Sequence, residues 1–234
     1  MGLLYEMDKT VDEVMKEKKN FLFIGEAGSG KSEIVLNFAA KLAKEGDRKV
    51  DLFDMDQTKP LYRSRDMQQE FKELGVDIHY QDQFLDAPTA VGGVATSLLS
   101  DNYTLLDIGG GSPAARMAGA YSHILKNEDS VPIYIINPYR PWTKDLLSID
   151  ETMSSILNAV RLDHIYILGN PNLGYHTNAE DFLEGLNKLD ELLDGIATVN
   201  SACVKSDVYE EVKDKTDKFL LPIELYLTYE WVDR

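Results

Sequence analysis

The 234-residue chain is poor in cysteine, in long apolar runs and in positive charge. Cys203 stands alone, so no disulfide closes within the chain and one protomer cannot hold a cysteine-ligated cluster. No apolar run approaches the roughly 18 residues of a membrane span, and the N-terminal MGLLYEMDKT lacks the basic and apolar regions of a signal peptide. A soluble, cytoplasmic protein without membrane attachment is expected. Lys plus Arg number 24 against 40 Asp plus Glu, a formal net charge of −16. Such a surface repels nucleic-acid backbones and anionic lipid, so no DNA partner is expected. The densest basic cluster, Lys16, Lys18 and Lys19, sits beside Asp12, Glu13 and Glu17 and reads as a solvated helix face. His79, His123, His164 and His176 share no metal-ligand spacing.

What the chain does have is alternation. Short, continuously apolar runs at 20–24, 49–53, 77–80, 103–108, 131–137, 164–168, 196–199 and 219–221 read as strands covered on both faces. Helical patterns lie between them. Residues 31–45 put Ile34, Val35, Phe38, Ala39 and Leu42 on one stripe, and 144–161 repeat the pattern from Leu146 to Val160. Residues 178–193 open on a Thr177 to Glu180 capping box and close at Gly195. Strand alternating with helix predicts an α/β fold, a doubly wound, mostly parallel sheet with helices on both faces. The expected organisation is a helical extension at 1–19 and one domain at 20–234.

Between the first long strand and its helix lies FLFIGEAGSGKSE, residues 21–33. Gly25, Gly28, Gly30, Lys31 and Ser32 complete G-x-x-x-x-G-K-[ST] in the strand-to-helix context that this motif requires. Backbone N–H groups can converge on a pyrophosphate only where side chains do not block the approach, and glycine meets that need. The helix N-terminus adds its positive dipole end. The expected nucleotide-binding set is Gly25, Glu26, Ala27, Gly28, Ser29, Gly30, Lys31, Ser32 and Glu33, with Lys31 on the β and γ oxygens and Ser32 on Mg²⁺. Two acidic strand ends follow. In YTLLDIGGG, Asp107 is placed to support Mg²⁺ and Gly110 to offer its N–H to a γ-phosphate. In VDLFDMDQTKP, Asp54 and Asp56 stand two apart, so one can orient water or support the metal while the other braces the loop.

These stations, in this order, resemble the deviant P-loop ATPases, the MinD, ParA and Mrp group. The resemblance implies catalytic work by Lys31, Asp56 and Asp107, metal contacts from Ser32, Asp56 and Asp107, and base contacts from Asn170 and Pro222. The group's signature lysine is replaced by Glu26, so a lysine reaching across a dimer is not implied, although a homodimer stays open. The function that the resemblance implies is ATP hydrolysis with Mg²⁺ that switches a protein partner. The alternative is an ATP-dependent ligase of the dethiobiotin synthetase type, acting on a small carboxylate substrate. A GTPase is not expected, because no N-K-x-D is present and the corresponding stretch reads Asn170-Pro171-Asn172-Leu173. Lys59, Arg63 and Arg65 read as a solvated loop or helix start, with contact to the γ-phosphate or to an acidic partner as the alternative. Tyr139, Arg140 and Trp142 read either as a partner surface or as core packing.

Overall fold

Strands that are apolar at every position need cover on both faces, and the fold supplies it. The computed structural model describes residues 4–5, 9–56, 63–80, 91–109, 112–162 and 164–227. Its elements are β1 (Leu4–Tyr5), α1 (Val11–Glu17), β2 (Asn20–Ile24), α2 (Lys31–Glu45), β3 (Val50–Asp54), α3 (Gln68–Glu73), β4 (Val76–His79), α4 (Val94–Leu99) and β5 (Tyr103–Asp107). They continue with α5 (Ser112–Gly119), α6 (Ser122–Leu125), β6 (Ser130–Ile136), α7 (Leu146–Val160), β7 (His164–Gly169), α8 (Ala179–Leu193), β8 (Ser201–Lys205), α9 (Ser206–Val212) and β9 (Phe219–Ile223). The sheet runs β4-β3-β5-β2-β6-β7-β8-β9, all parallel, and β1 adds to β7.

The expected doubly wound sheet is therefore observed, with β2 near its centre. Successive β2 residues point to opposite faces. Phe21 and Phe23 join one core with Ile34, Phe38 and Leu42 of α2, whereas Leu22 and Ile24 join the other with Met153, Leu157 and Val160 of α7. At the N-terminus α1 starts on a Thr10–Glu13 capping box and buries Val11, Val14 and Met15 in the α2 core. The segment read as a helical extension thus packs onto the same sheet. Among the described residues no helix is long and apolar enough to cross a membrane.

Two expectations are corrected. Residues 196–199 do not form a strand; the strand is β8, which starts at Ser201. The Ile196 and Ala197 N–H groups donate to the Leu193 carbonyl and so finish α8 instead of pairing with a neighbour. The α8 capping box also lies one residue later than expected. Asn178 accepts from the Asp181 N–H and Asp181 reaches back, which leaves the Thr177 hydroxyl to the Leu173 N–H and Gly174 carbonyl.

Candidate functional site

In parallel sheets, sites form where the strand order diverges, beyond the carboxyl ends. Here the chain lays β3, β4 and β5 on one flank of β2, and β6 to β9 on the other. The loop after β2 opens at that point. Gly25, Gly28 and Gly30 have φ of 144°, 76° and 93°, a region that favours glycine. Space excludes side chains as well. A Cβ on Gly25 would lie 2.7 Å from the Ile135 carbonyl oxygen, and one on Gly30 would lie 2.3 Å from Asn170 Nδ2. Lys31 is buried at 1% exposure, and its ammonium donates to the Glu26 carbonyl at 2.8 Å, folding the side chain back along the loop. No side chain caps α2 at Gly30, and the positive dipole end of the helix faces the loop. The Ser32 side chain is buried at that turn.

Glu33, expected within the nucleotide-binding set, turns its carboxylate to the chain after β9. It accepts from the Tyr226 N–H at 2.5 Å and from the Leu227 N–H at 3.1 Å. One turn on, Asn37 exchanges hydrogen bonds with both backbone groups of Glu224. Burial pushes the Glu33 carboxyl up to about 7, against the pull of its two N–H donors.

The acidic strand ends meet on the β3 and β5 flank. Asp54, Asp56 and Asp107 are all buried, and β3 and β5 pair Asp54 with Asp107 in register. The Asp54 carboxylate accepts from Arg65 Nε at 2.7 Å and from the Asp56 N–H at 3.1 Å. A second Arg65 nitrogen donates to the Asp56 carbonyl at 2.5 Å. Burial and the neighbouring Asp107 charge raise the Asp54 pKa to about 6, opposed by the Arg65 guanidinium. The Ser64 hydroxyl donates to one Asp107 oxygen at 3.1 Å, while the other, Oδ1, is buried without a partner. Gly109 makes room here: a Cβ would fall 2.7 Å from the Asp56 carboxylate. Arg65 is thus not a solvated loop residue but a partly buried ion-pair partner of Asp54, with 9% side-chain exposure. Nothing local in the sequence announces that pairing; only the fold brings residues 54 and 65 together. Arg63 makes a local pair with Asp66. Lys59 and Gly110 lie outside the described residues.

The opposite flank holds the loop by its carbonyls. Asn170, just past β7, donates from Nδ2 to the Ser29 carbonyl at 2.8 Å, and its Oδ1 is buried with no partner. The Ser29 hydroxyl is likewise buried and unpartnered. From the turn after β6, Arg140 Nε donates to the Gly28 carbonyl at 2.8 Å and Trp142 Nε1 to the Ala27 carbonyl at 3.1 Å. Trp142 therefore does not enter the core: it lies against the loop, 46% exposed. Pro222 sits within β9, in register with Val204 and four strands from β2, or about 19 Å at the usual strand spacing. A cavity of about 330 Å³ lined by Lys9, Thr10, Asn200 and Lys218 opens at the far end of the sheet, away from the loop. Among the described residues no three His, Cys, Asp or Glu side chains could hold a metal by themselves.

The architecture of the sheet and its helices is shared with solved proteins. The cell division protein FtsY of Thermotoga maritima superposes with a TM-score of 0.53 at 14% identity, over 82% of this chain and 68% of its own. The fold is that of the P-loop NTPases. FtsY of Elizabethkingia anophelis in complex with GDP aligns at 14% identity with a TM-score of 0.44, over 95% of this chain and 60% of its own. The BceF tyrosine kinase domain aligns at 14% identity with a TM-score of 0.41, over 66% of this chain and 72% of its own. These neighbours do not single out the MinD, ParA and Mrp group. No family model matches the chain, and none of the curated proteins does.

Proposed function

We propose that the chain is a Mg²⁺-dependent ATPase of the MinD and ParA kind that uses nucleotide state to switch a protein partner. One observation carries the reading. Of the four buried side-chain atoms without a partner among the described residues, three (Ser29 Oγ, Asp107 Oδ1 and Asn170 Oδ1) surround the loop. Buried polar atoms are normally satisfied, so orphans gathered at one place mark a ligand's position. Lys31 leaves the Glu26 carbonyl and donates to β- and γ-phosphate oxygens, while the loop amides and the first turn of α2 take the rest of the anion.

Ser32 and Asp107 would hold Mg²⁺ through a hydroxyl and a carboxylate oxygen, hard donors that suit this ion. When bound, Mg²⁺ neutralises charge developing on the phosphates. Asp56, braced by Arg65, orients the attacking water. Asn170 presents an acceptor, Oδ1, that suits the amino group of adenine and would repel the carbonyl of guanine. Partner switching follows from connectivity. Ser64 and Arg65 are bonded to Asp107 and Asp54, so a change at the phosphate end is felt at those two residues.

Phosphate release from ATP with Mg²⁺ tests this. The wild type should hydrolyse ATP slowly, Lys31→Ala should lose nucleotide affinity, and Asp56→Ala should bind ATP but turn over on the order of 10²-fold more slowly. An Asp56→Ala variant with undiminished hydrolysis would remove that residue from the mechanism. Hydrolysis that appears only when a small carboxylate is added would favour the ligase alternative.

A further inference from the structure

We propose that Arg140 and Trp142 form a stacking platform for the nucleotide base. The proposal rests on the reading above, that residues 25–32 hold a triphosphate. The direction of the bound molecule follows from the sheet. Asp54, Asp56 and Asp107 lie on the β3 and β5 flank of the loop, whereas Arg140, Trp142 and Asn170 lie on the β6 and β7 flank. A nucleotide with its reacting end at the carboxylates must direct its nucleoside to the second flank.

The turn that carries these two side chains is held in one shape. The Arg140 N–H donates to the Asn137 carbonyl at 3.2 Å, and the Thr143 N–H to the Arg140 carbonyl at 3.0 Å. The Thr143 hydroxyl closes the same turn on the Asn137 carbonyl at 2.9 Å. Asn137 Nδ2 then ties it to the neighbouring turn through the Asn172 carbonyl at 2.7 Å, two residues beyond Asn170. Each planar group is anchored to the loop by an edge, Nε of the guanidinium and Nε1 of the indole. A hydrogen bond made in the ring plane does not use the face. The guanidinium packs on Gly28, where a Cβ would lie 3.4 Å from Arg140 Nε, and the indole keeps nearly half its surface in solvent.

Guanidinium and indole faces both stack well on heteroaromatic rings. Stacking reads the presence of a base and tolerates its identity, because every base has a π-face; truncation of one such contact costs roughly 5- to 150-fold in affinity. Discrimination between purines is left to Asn170, which meets an edge.

The chain has two tryptophans, Trp142 and Trp231, so Trp231→Phe leaves Trp142 as the sole indole reporter. In that background, ATP, GTP and inorganic tripolyphosphate are titrated with Mg²⁺, following fluorescence and heat. Both nucleotides should change Trp142 emission, and tripolyphosphate should bind without doing so. Arg140→Ala and Trp142→Ala should each weaken ATP roughly 5- to 150-fold more than they weaken tripolyphosphate, whose loss reports only the bonds to the loop carbonyls. Trp142→Phe, which keeps a ring but loses the bond to Ala27, should retain most of the ATP affinity. Equal losses for ATP and tripolyphosphate would make the pair a brace or a phosphate contact and overturn the platform. Failure of the parent protein to bind either compound would instead overturn the triphosphate reading, and the platform with it.

Discussion

Arg65 is the most informative place to perturb the site without touching the phosphate loop. Its guanidinium has 9% side-chain exposure and the Asp54 carboxylate it faces has 1%, so solvent screens the pair little. Arg65→Met keeps most of the stem's volume and removes the charge, leaving Asp54 buried beside Asp107. Breaking a buried pair by deleting one partner costs about 3–5 kcal/mol. Asp54 in the wild type already has its pKa raised from 3.8 to about 6. A raised folded-state pKa means stability that is full below 3.8 and lost as pH climbs through 6, about 3 kcal/mol at 1.36 kcal/mol per unit. Without Arg65 that pKa rises further, by about two units for a 3 kcal/mol effect. The variant should therefore match the wild type closely at pH 5, where Asp54 is protonated in both folded proteins. It should fall about 3 kcal/mol behind by pH 8.5. Urea unfolding at the two pH values reads this directly, and Asp54→Asn combined with Arg65→Met should remove most of the deficit at high pH. An equal loss at pH 5 and pH 8.5 would refute the ion-pair reasoning and leave only lost packing.

The remaining predictions concern the loop and its surroundings. Gly30→Ala puts a methyl group 2.3 Å from Asn170 Nδ2 on a residue with φ of 93°. Backbone strain plus the lost Asn170–Ser29 bond should cost about 2–3 kcal/mol, or a melting point lower by about 4–12 °C, in a thermal scan. Glu33 also has a raised pKa, to about 7, so it contributes stability below 4.5 that is lost as pH passes 7. Glu33→Gln, which keeps an acceptor for the Tyr226 N–H, should equal the wild type near pH 4.5 and exceed it by roughly 1–2 kcal/mol at pH 8, allowing for partial solvent screening. Asp107→Asn removes the like charge that faces Asp54. It should raise unfolding free energy at pH 7.5 by on the order of 1 kcal/mol while abolishing ATP hydrolysis, a trade of stability for function seen by pairing the two assays.

The central strands and the loop were legible because each is dictated locally. Phe21 to Ile24 are apolar on both faces, and the glycines at 25, 28 and 30 are demanded by backbone shape. The sequence reading places α2 at the residues where it is found, since its stripe and its start are set by near neighbours. What escaped depends on contacts distant in the chain. Arg65 looks like any exposed arginine until Asp54, 11 residues earlier, is placed beside it. Glu33 belongs to the loop by position, yet its carboxylate serves Tyr226 and Leu227, more than 190 residues away. Arg140 and Trp142 offered a partner surface or core packing in sequence, and the fold gives them a third setting against the Ala27 and Gly28 carbonyls. The misplaced strand at 196–199 has a local cause. Apolar residues that close a helix and apolar residues that open a strand look alike until the hydrogen bonds to Leu193 are seen.

The proposed function stands or falls on the grip of residues 25–32 on a phosphate chain. Isothermal titration of the folded wild type with ATP and Mg²⁺, alongside Lys31→Ala, measures it directly. Saturable one-to-one uptake by the wild type, weakened at least tenfold in Lys31→Ala, is the predicted result. Absence of heat with both ATP and GTP, from protein whose circular dichroism shows it to be folded, would contradict it.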